Sequence, residues 1–496
     1  MEIVNRANRG LATLPHGTTR AIVPVLLLAF LVSAASHALA ASIDLPERPD
    51  EDLPEKPPTA SVFGRPLWIG GEVRSRPRYR KNFDLDNATR DDNLEVNNRL
   101  TLEALYSITP HVLLFLKGRA VYEPTFTLDT GARTDKKELL RREHWLFVGD
   151  ILQSVLGPGY SLQIGRLKLS EGRRWWWRTR LDGVRFYYDR PHEHLELAAT
   201  EELAPKSTET RFIKPEEEDI FRAFGHAGRI WKERQRLDFF FLYHFDHSHR
   251  YAIGEVVPKD HEDKSDATLL WLGGRASGEV DQGTLGGLFY FVDGAWAGGK
   301  ETVFGFDHFD AAADRVSSRG NHHVSGFAFD ARGTWATRAP ARPALTLGYA
   351  FGSGDSNAKH GTDTGFRQTG VSSNRDRFLG VDVFRVYGEL VRPDLSNLHI
   401  FTGALGCRIL RSSSVELVYH FYRQAVPAPF LRDAKIPDPT GKSSLIGHEW
   451  DLVLGLGEWE PLELELINAL FLAGRAYGSR SGNVAEGVFL KVAYEF

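Results

Sequence analysis

Apolar and polar positions alternate along most of this chain. In "RLTLEALY", Leu100, Leu102, Ala104 and Tyr106 fall on one face of an extended segment, and Arg99, Thr101 and Glu103 on the other. "HVLLFLKGRAVY" sets Val112, Leu114, Leu116, Gly118 and Ala120 against Lys117 and Arg119. The same period of two runs through "LDFFFLYHF", "GFAFDARGTW" and "VELVYHF". Such a period is strand geometry, and it predicts a sheet with one apolar and one polar face. A soluble sandwich would alternate in the same way, so the lengths have to decide. The segments run about ten residues, the span of a tilted membrane-crossing strand. Their connections alternate as well. Short turns such as "SITP", "DRPHE", "KERQR", "ATRAPARP" and "RSSS" take turns with long polar loops at 81–94, 122–140, 201–220, 248–266, 297–323 and 423–447.

A first count gives nineteen segments, which would leave the two ends on opposite sides. Treating "VDVFRVYGEL" as part of one long loop, 352–397, leaves eighteen strands with both ends together. The last of them, "EGVFLKVAYEF", carries Val488, Leu490, Val492, Tyr494 and Phe496 on one face and ends on phenylalanine. The prediction is an all-β, transmembrane, antiparallel up-and-down β-barrel of about 18 strands, wide enough for an aqueous lumen.

The N-terminus changes the picture of where this barrel works. Arg6, Arg9 and Arg20 flank the short apolar run "AIVPVLLLAFLVSAA", and Ala38 and Ala40 supply an A-x-A cleavage site. Residues 1–40 therefore read as a cleaved secretory signal peptide. Residues 41–62, rich in proline and acid, read as a flexible periplasmic lead-in, and 63–496 as the barrel. No later segment reaches the roughly 18 consecutive apolar residues of a spanning helix. The expected location is the bacterial outer membrane.

Composition excludes several classes. With 61 Lys+Arg against 65 Asp+Glu the net charge is −4, which argues against a nucleic-acid binder. The lone Cys407 forbids an internal disulfide. No G-x-S-x-G or H-E-x-x-H motif is present, so neither an enzyme nor a cofactor or metal is expected. "HFDHSHR" (His244, His247, His249) reads as an exposed loop cluster.

If the apolar faces meet lipid, the charges belong inside, because a lysine or arginine at the bilayer midplane costs roughly 2–4 kcal/mol. Parity assigns Arg99, Lys117, Arg119 and Arg332 to the lumen. In "SLQIGRLKLS" the register slips near Gly165, and Arg166 and Lys168, which share a parity, are assigned to the lumen or its rim. Glu103, Asp330, Glu416, Glu449, Asp451, Glu463 and Glu465 join them and are expected to pair with bases across strands. The bases gather on strands two to six, which predicts a cationic constriction. "GRRWWWRTRLDGVRFYYD", 172–189, opens in the loop between strands five and six. Its tryptophans are expected at the outer membrane interface and its arginines around the mouth or folded inward.

The distal half carries a motif set: "GSGDSNAKHGTDTGFRQTGVSSNRDRFLG", "GELVRPDLSNL", "SVELVYHFYR", "GHEWDLVLG" and "FLAGRAYG", with "REHW" and "LQIGRLKL" earlier. This set resembles the alginate-export outer-membrane porins. The resemblance implies an eighteen-stranded, monomeric barrel, fed by periplasmic secretion proteins, that passes an acidic polyuronate through an arginine-lined constriction. Residue by residue it implies pore positions at Arg142 and Arg375, and at Arg99. Lys168 stands where the family has arginine, Arg178 falls where it has an acid, and a basic site near "ELINALF" is lost. The expected function is passive secretion of an anionic polysaccharide, alginate or a relative. The alternative is an anion-selective porin for small solutes or sugar acids.

Overall fold

The computed structural model describes residues 56–496 except 90–91, 152, 358–360 and 379, together with 49 and 54. Residues 1–40, expected to be a signal peptide, and most of the expected lead-in, 41–62, lie outside the described residues. Ala60–Val62, at the end of the lead-in, is a short strand folded back on Arg65–Leu67.

Eighteen strands form the wall. They are β1 (Arg65–Lys81), β2 (Asn93–Thr109), β3 (Val112–Thr127), β4 (Arg133–Val148), β5 (Tyr160–Ser170), β6 (Arg178–Arg190), β7 (Glu193–Glu201), β8 (Ile220–Lys232) and β9 (Gln235–Asp246). There follow β10 (Ser265–Asp281), β11 (Gly287–His308), β12 (Ala313–Ala336), β13 (Ala344–Gly352), β14 (Leu398–Leu410), β15 (Ser413–Gln424), β16 (Leu445–Trp459), β17 (Leu462–Ala473) and β18 (Val484–Glu495). Each pairs antiparallel with its sequence neighbours, and β1 pairs with β18 to close the barrel. The closing seam continues to the last residue: Gly71 and Phe496 exchange both backbone hydrogen bonds at 3.0 Å. Closure leaves no sheet edge in the lipid, which is the condition for strands to cross a membrane.

The alternation has its predicted sense. Leu102 and Phe239 are each 52 % exposed on the outer face, while Thr101 beside the first and Phe240 beside the second are buried inside. The described residues of 353–397 stay largely a loop, with three two-residue strands: Thr362–Asp363, which pairs parallel with His323 and Val324 of β12, and Arg375–Asp376 and Phe384–Arg385, which pair with each other. Two expected long loops, 122–140 and 297–323, are strand instead. β11 and β12 run 22 and 24 residues and project beyond the roughly 9–11 a bilayer needs. Polar stretches there hydrogen-bond as a ladder above the membrane, where composition no longer signals strand.

Candidate functional site

The inner face of the first four strands is basic. On β1, Arg74, Arg76, Arg78 and Arg80 alternate with Val73, Ser75, Pro77 and Tyr79. Arg76 reaches Glu465 at 3.1 Å and Arg78 reaches Glu95 at 2.5 Å. Arg99 on β2 stands directly across from Arg74, within electrostatic reach of Arg76, Arg78 and Arg119, and its Nε has no hydrogen-bond partner. Arg119 Nε donates to Thr101 Oγ1 at 2.9 Å, and Lys117 pairs with Glu103 at 2.5 Å. Arg142 is the extra residue of a β-bulge on β4, since Lys117 pairs with Glu143 and Gly118 with Arg141. The bulge turns Arg142 toward Arg99, Arg119 and Arg180.

The β5–β6 hairpin completes this flank by leaving the wall. β5 pairs with β4 only through Leu162–Arg166, while it continues against β6 as far as Ser170 and Arg178. Gly165 sits at φ +131° opposite Gly183, and a Cβ on either would come within 2.2 Å of a backbone oxygen. Beyond this glycine pair the hairpin leans inward. Leu167, Leu169 and Leu181 join Phe224 of β8 and Phe240 of β9 in one buried cluster. Lys168, Arg178 and Arg180 then face the basic strands, and Arg180 Nε donates to Glu143 at 2.7 Å. The loop at 202–219 fills the gap left in the wall, with Arg141 N donating to Lys206 O at 2.9 Å.

Arg166 is not at the lumen or rim as expected. It is 2 % exposed at the bend, on the outer face, held by Glu202 at 2.6 Å and Asp182 at 3.2 Å, with Arg141 in the same cluster. Shared parity with Lys168 misled because the hairpin changes surroundings between the two residues. Below the bend that face belongs to the wall; above it, to the lumen.

The other flank is packed shut. Residues 353–397 fold into the barrel, where Phe366, Phe384, Tyr387, Leu390 and Leu395 bury against Ile400, Val418, Ile446 and Phe471 of the wall. The tryptophans are the second correction: Trp175, Trp176 and Trp177 are 2 %, 0 % and 1 % exposed inside the barrel, not at the outer interface. Trp176 stacks on Phe240 with centroids 5.0 Å apart, and Trp175 Nε1 donates to Tyr387 Oη at 2.7 Å. Aromatic composition marks a membrane belt and a packed interior equally; only the inward lean separates them. Arg173 lies among Asp293, Asp330 at 2.8 Å and Asp376 at 3.5 Å. Arg332 points inward as expected but is bound to Asp376 and covered by Phe378 and Phe291, away from the basic flank.

The inner-wall acids do more than pair with bases. Glu449 accepts the backbone N–H of Leu390 at 2.7 Å and of Val391 at 3.1 Å, Asp451 that of Glu389 at 3.2 Å, and Glu416 that of Gly380 at 3.0 Å. They grip the plug by its main chain.

Where the plug faces the basic flank it adds charge of the same sign. Arg375 donates to Val383 O at 2.8 Å and lies within reach of Arg174 and Arg76. Burial and then the nearby Arg392 lower Arg385, with Arg375 and Arg76 adding to the effect, to about 10. Burial would raise Glu389, but Arg392, Arg375 and Arg385 outweigh it and hold the carboxyl at about 2. Glu389 pairs with Arg392 at 3.3 Å and accepts the Arg385 backbone N–H at 2.9 Å. Of the expected pore residues, Arg99, Lys117, Arg119, Arg142, Lys168, Arg178 and Arg375 come together, and Arg166 and Arg332 do not. The β1 ladder was missed, although "RSRPRYR" announces it: four arginines at a period of two belong on one face of a strand.

The triad "HFDHSHR" does not assemble. His247 and His249 are exposed, near Glu201 and Glu255 respectively, while His244 lies on β9 against Trp271.

Known proteins place this architecture. The alginate production protein AlgE of Pseudomonas aeruginosa is 28 % identical over 389 residues, covering 74 % of this chain and 76 % of its own length. The AlgE of Azotobacter vinelandii is 25 % identical over 174 residues, 30 % of this chain and 36 % of that one. Among solved structures, P. aeruginosa OpdQ shares the fold at a TM-score of 0.50 and 12 % identity, covering 87 % of this chain and 98 % of its own. The sequence pattern of the alginate export family matches residues 65–491, and the chain belongs to that family of bacterial outer-membrane β-barrels.

Proposed function

We propose that this protein passes an acidic, uronate-type polysaccharide, alginate or a close relative, outward along the passage between its basic flank and its plug. The observation that carries this reading is the meeting of arginines from three separate elements: the β1–β4 wall, the β5–β6 tip and the plug. Like charges are held side by side only at a cost, and a polyanion between them would relieve it. Alternate residues on a strand are about 7 Å apart, so the β1 ladder offers a carboxylate a succession of equivalent sites. Several weak sites in series let a chain advance without being trapped. Two relatives are named for alginate production, which favours a polyuronate over a small anion.

The chain from residue 41, refolded in detergent and placed in a planar bilayer, tests this. Reversal potential in a salt gradient should report anion selectivity. Polymannuronate or polyguluronate on one side should block the current at concentrations where monomeric uronate does not. Equal block by monomer and polymer would favour a small-anion porin, and cation selectivity would remove the basic-passage reading altogether.

A further inference from the structure

Away from the basic passage, the inner wall of β7 to β9 gathers two imidazoles and a carboxylate. His194, Glu196 and His226 each offer one ligand atom, all within 4.8 Å of one another, and all three residues are buried. His194 Nε2 is 3.8 Å from Glu196 Oε2, too long for a hydrogen bond. That nitrogen is buried with no hydrogen-bond partner, in a side chain 0 % exposed. Such an orphan is costly in a folded protein. Each ring is braced by a carboxylate: His194 Nδ1 lies 2.5 Å from Asp189, and His226 Nε2 lies 2.7 Å from Asp238. A carboxylate behind a histidine is the usual outer shell of a metal ligand, fixing the ring and raising its basicity. Arg185 holds the other oxygen of Glu196 at 3.1 Å, and Arg236 holds Asp238 at 2.5 Å. Three acids, Asp189, Glu196 and Asp238, stand around the two rings, with Arg185 and Arg236 beside them.

We infer that His194, Glu196 and His226 bind a divalent transition-metal ion of the zinc type. Two nitrogens and one carboxylate oxygen match the ligand preference of such ions and leave a position for water. The ion would tie β7 to β8 from inside the barrel.

The test uses the full mature chain in detergent, stripped with chelator, then titrated with Zn2+ and separately with Co2+. We expect one tight equivalent of Zn2+ and visible Co2+ absorption of nitrogen–oxygen coordination. His194→Gln and His226→Gln should lose at least tenfold in affinity. Asp189→Asn, which leaves all three ligands in place, should weaken binding by roughly 10–100-fold. His247→Asn with His249→Asn should leave the tight equivalent intact. Heat-shifted electrophoretic mobility checks that each variant is a closed barrel. If a histidine variant does not fold, Asp189→Asn and Glu196→Gln decide. No tight Zn2+ on the wild-type chain, or full affinity in folded His194→Gln and Asp189→Asn, would overturn the assignment.

Discussion

Two flanks of one lumen are built from the same alternating strands and end differently. From β8 to β18 the inward positions combine apolar residues and acids with ion-paired bases such as Arg275 and Arg332, and a loop of this chain fills them. From β1 to β4 they carry the closely spaced Arg74, Arg76, Arg78, Arg99 and Arg119, matched in part by acids such as Glu95 and Glu465, and the facing side of the plug brings more arginines gathered around Glu389. A wall with apolar inward residues attracts chain and closes; a wall whose bases are only partly matched by acids stays wet, because burying the unpaired ones would cost several kcal/mol per ion. The proposed passage is the part of the lumen where the plug does not pack against the wall. On the proposed reading, charge distribution along the strand order, not barrel width, decides where the passage runs.

The strongest blow to this contrast is struck at the plug's anchor. Arg173→Ala would leave Asp293, Asp330 and Asp376 facing one another with less compensation. Breaking a buried ion network by removing one partner costs about 3–5 kcal/mol. The plug should detach while the barrel persists, seen as trypsin cleavage within 353–397 alongside unchanged heat-shifted mobility. A plug that stays resistant would mean the tryptophans and inner-wall acids hold it alone.

Next comes the basic flank itself. At about 8 Å and an effective dielectric constant of about 20, each charge acts with roughly 2 kcal/mol before salt screening. Replacing Arg99, Arg119 and Arg142 together by Gln should lower the anion-over-cation permeability ratio roughly tenfold or more. Arg332→Gln, by contrast, should leave selectivity nearly unchanged, since that side chain is spent on Asp376. Equal effects from the two would erase the distinction between the flanks.

How far this contrast could be read from the residues alone follows from the physics of each element. Alternation carries strand direction and face directly, so the barrel, its count and the inward sense of Arg99, Lys117 and Arg119 were legible. Parity fails wherever a strand changes surroundings. Arg166 and Lys168 differ by one repeat, yet a glycine pair between the hairpin's halves puts one under a surface loop and the other in the lumen. The plug was legible only as length. Its occupancy of the lumen depends on distant pairings, such as Leu390 with Glu449, that no local pattern encodes.

Those wall acids give a milder probe of the closed flank. Glu449→Leu removes the acceptor for Leu390, Val391 and the Tyr422 hydroxyl. Orphaned donors cost about 1–3 kcal/mol, so the plug should loosen locally and keep its other anchors. Hydrogen exchange at the Leu390 and Val391 amides should accelerate roughly tenfold or more, with the Phe366 amide unaffected. If exchange rises across all of 353–397, the plug is one cooperative unit and not a series of separate grips.

The smallest effect should come from pH, at the outer edge of the plug. Burial and then Asp433 raise Asp394 to about 7, with Arg432 and Lys435 opposing. A carboxyl released into solvent titrates near 4, so the docked plug holds a proton that the released plug gives up. Docking is therefore favoured by this group at low pH, and the contribution is lost as pH rises from about 4 to about 7, remaining absent above that. Open-channel noise should increase between pH 5 and 8, and Asp394→Asn, permanently neutral, should flatten the profile at its low-pH level. Asp433→Asn should make it shallower without abolishing it, because burial, the larger cause, remains. A profile that is steeper in either variant would place the titrating group on the basic flank instead, and the pH response would then belong to the passage, not to the plug.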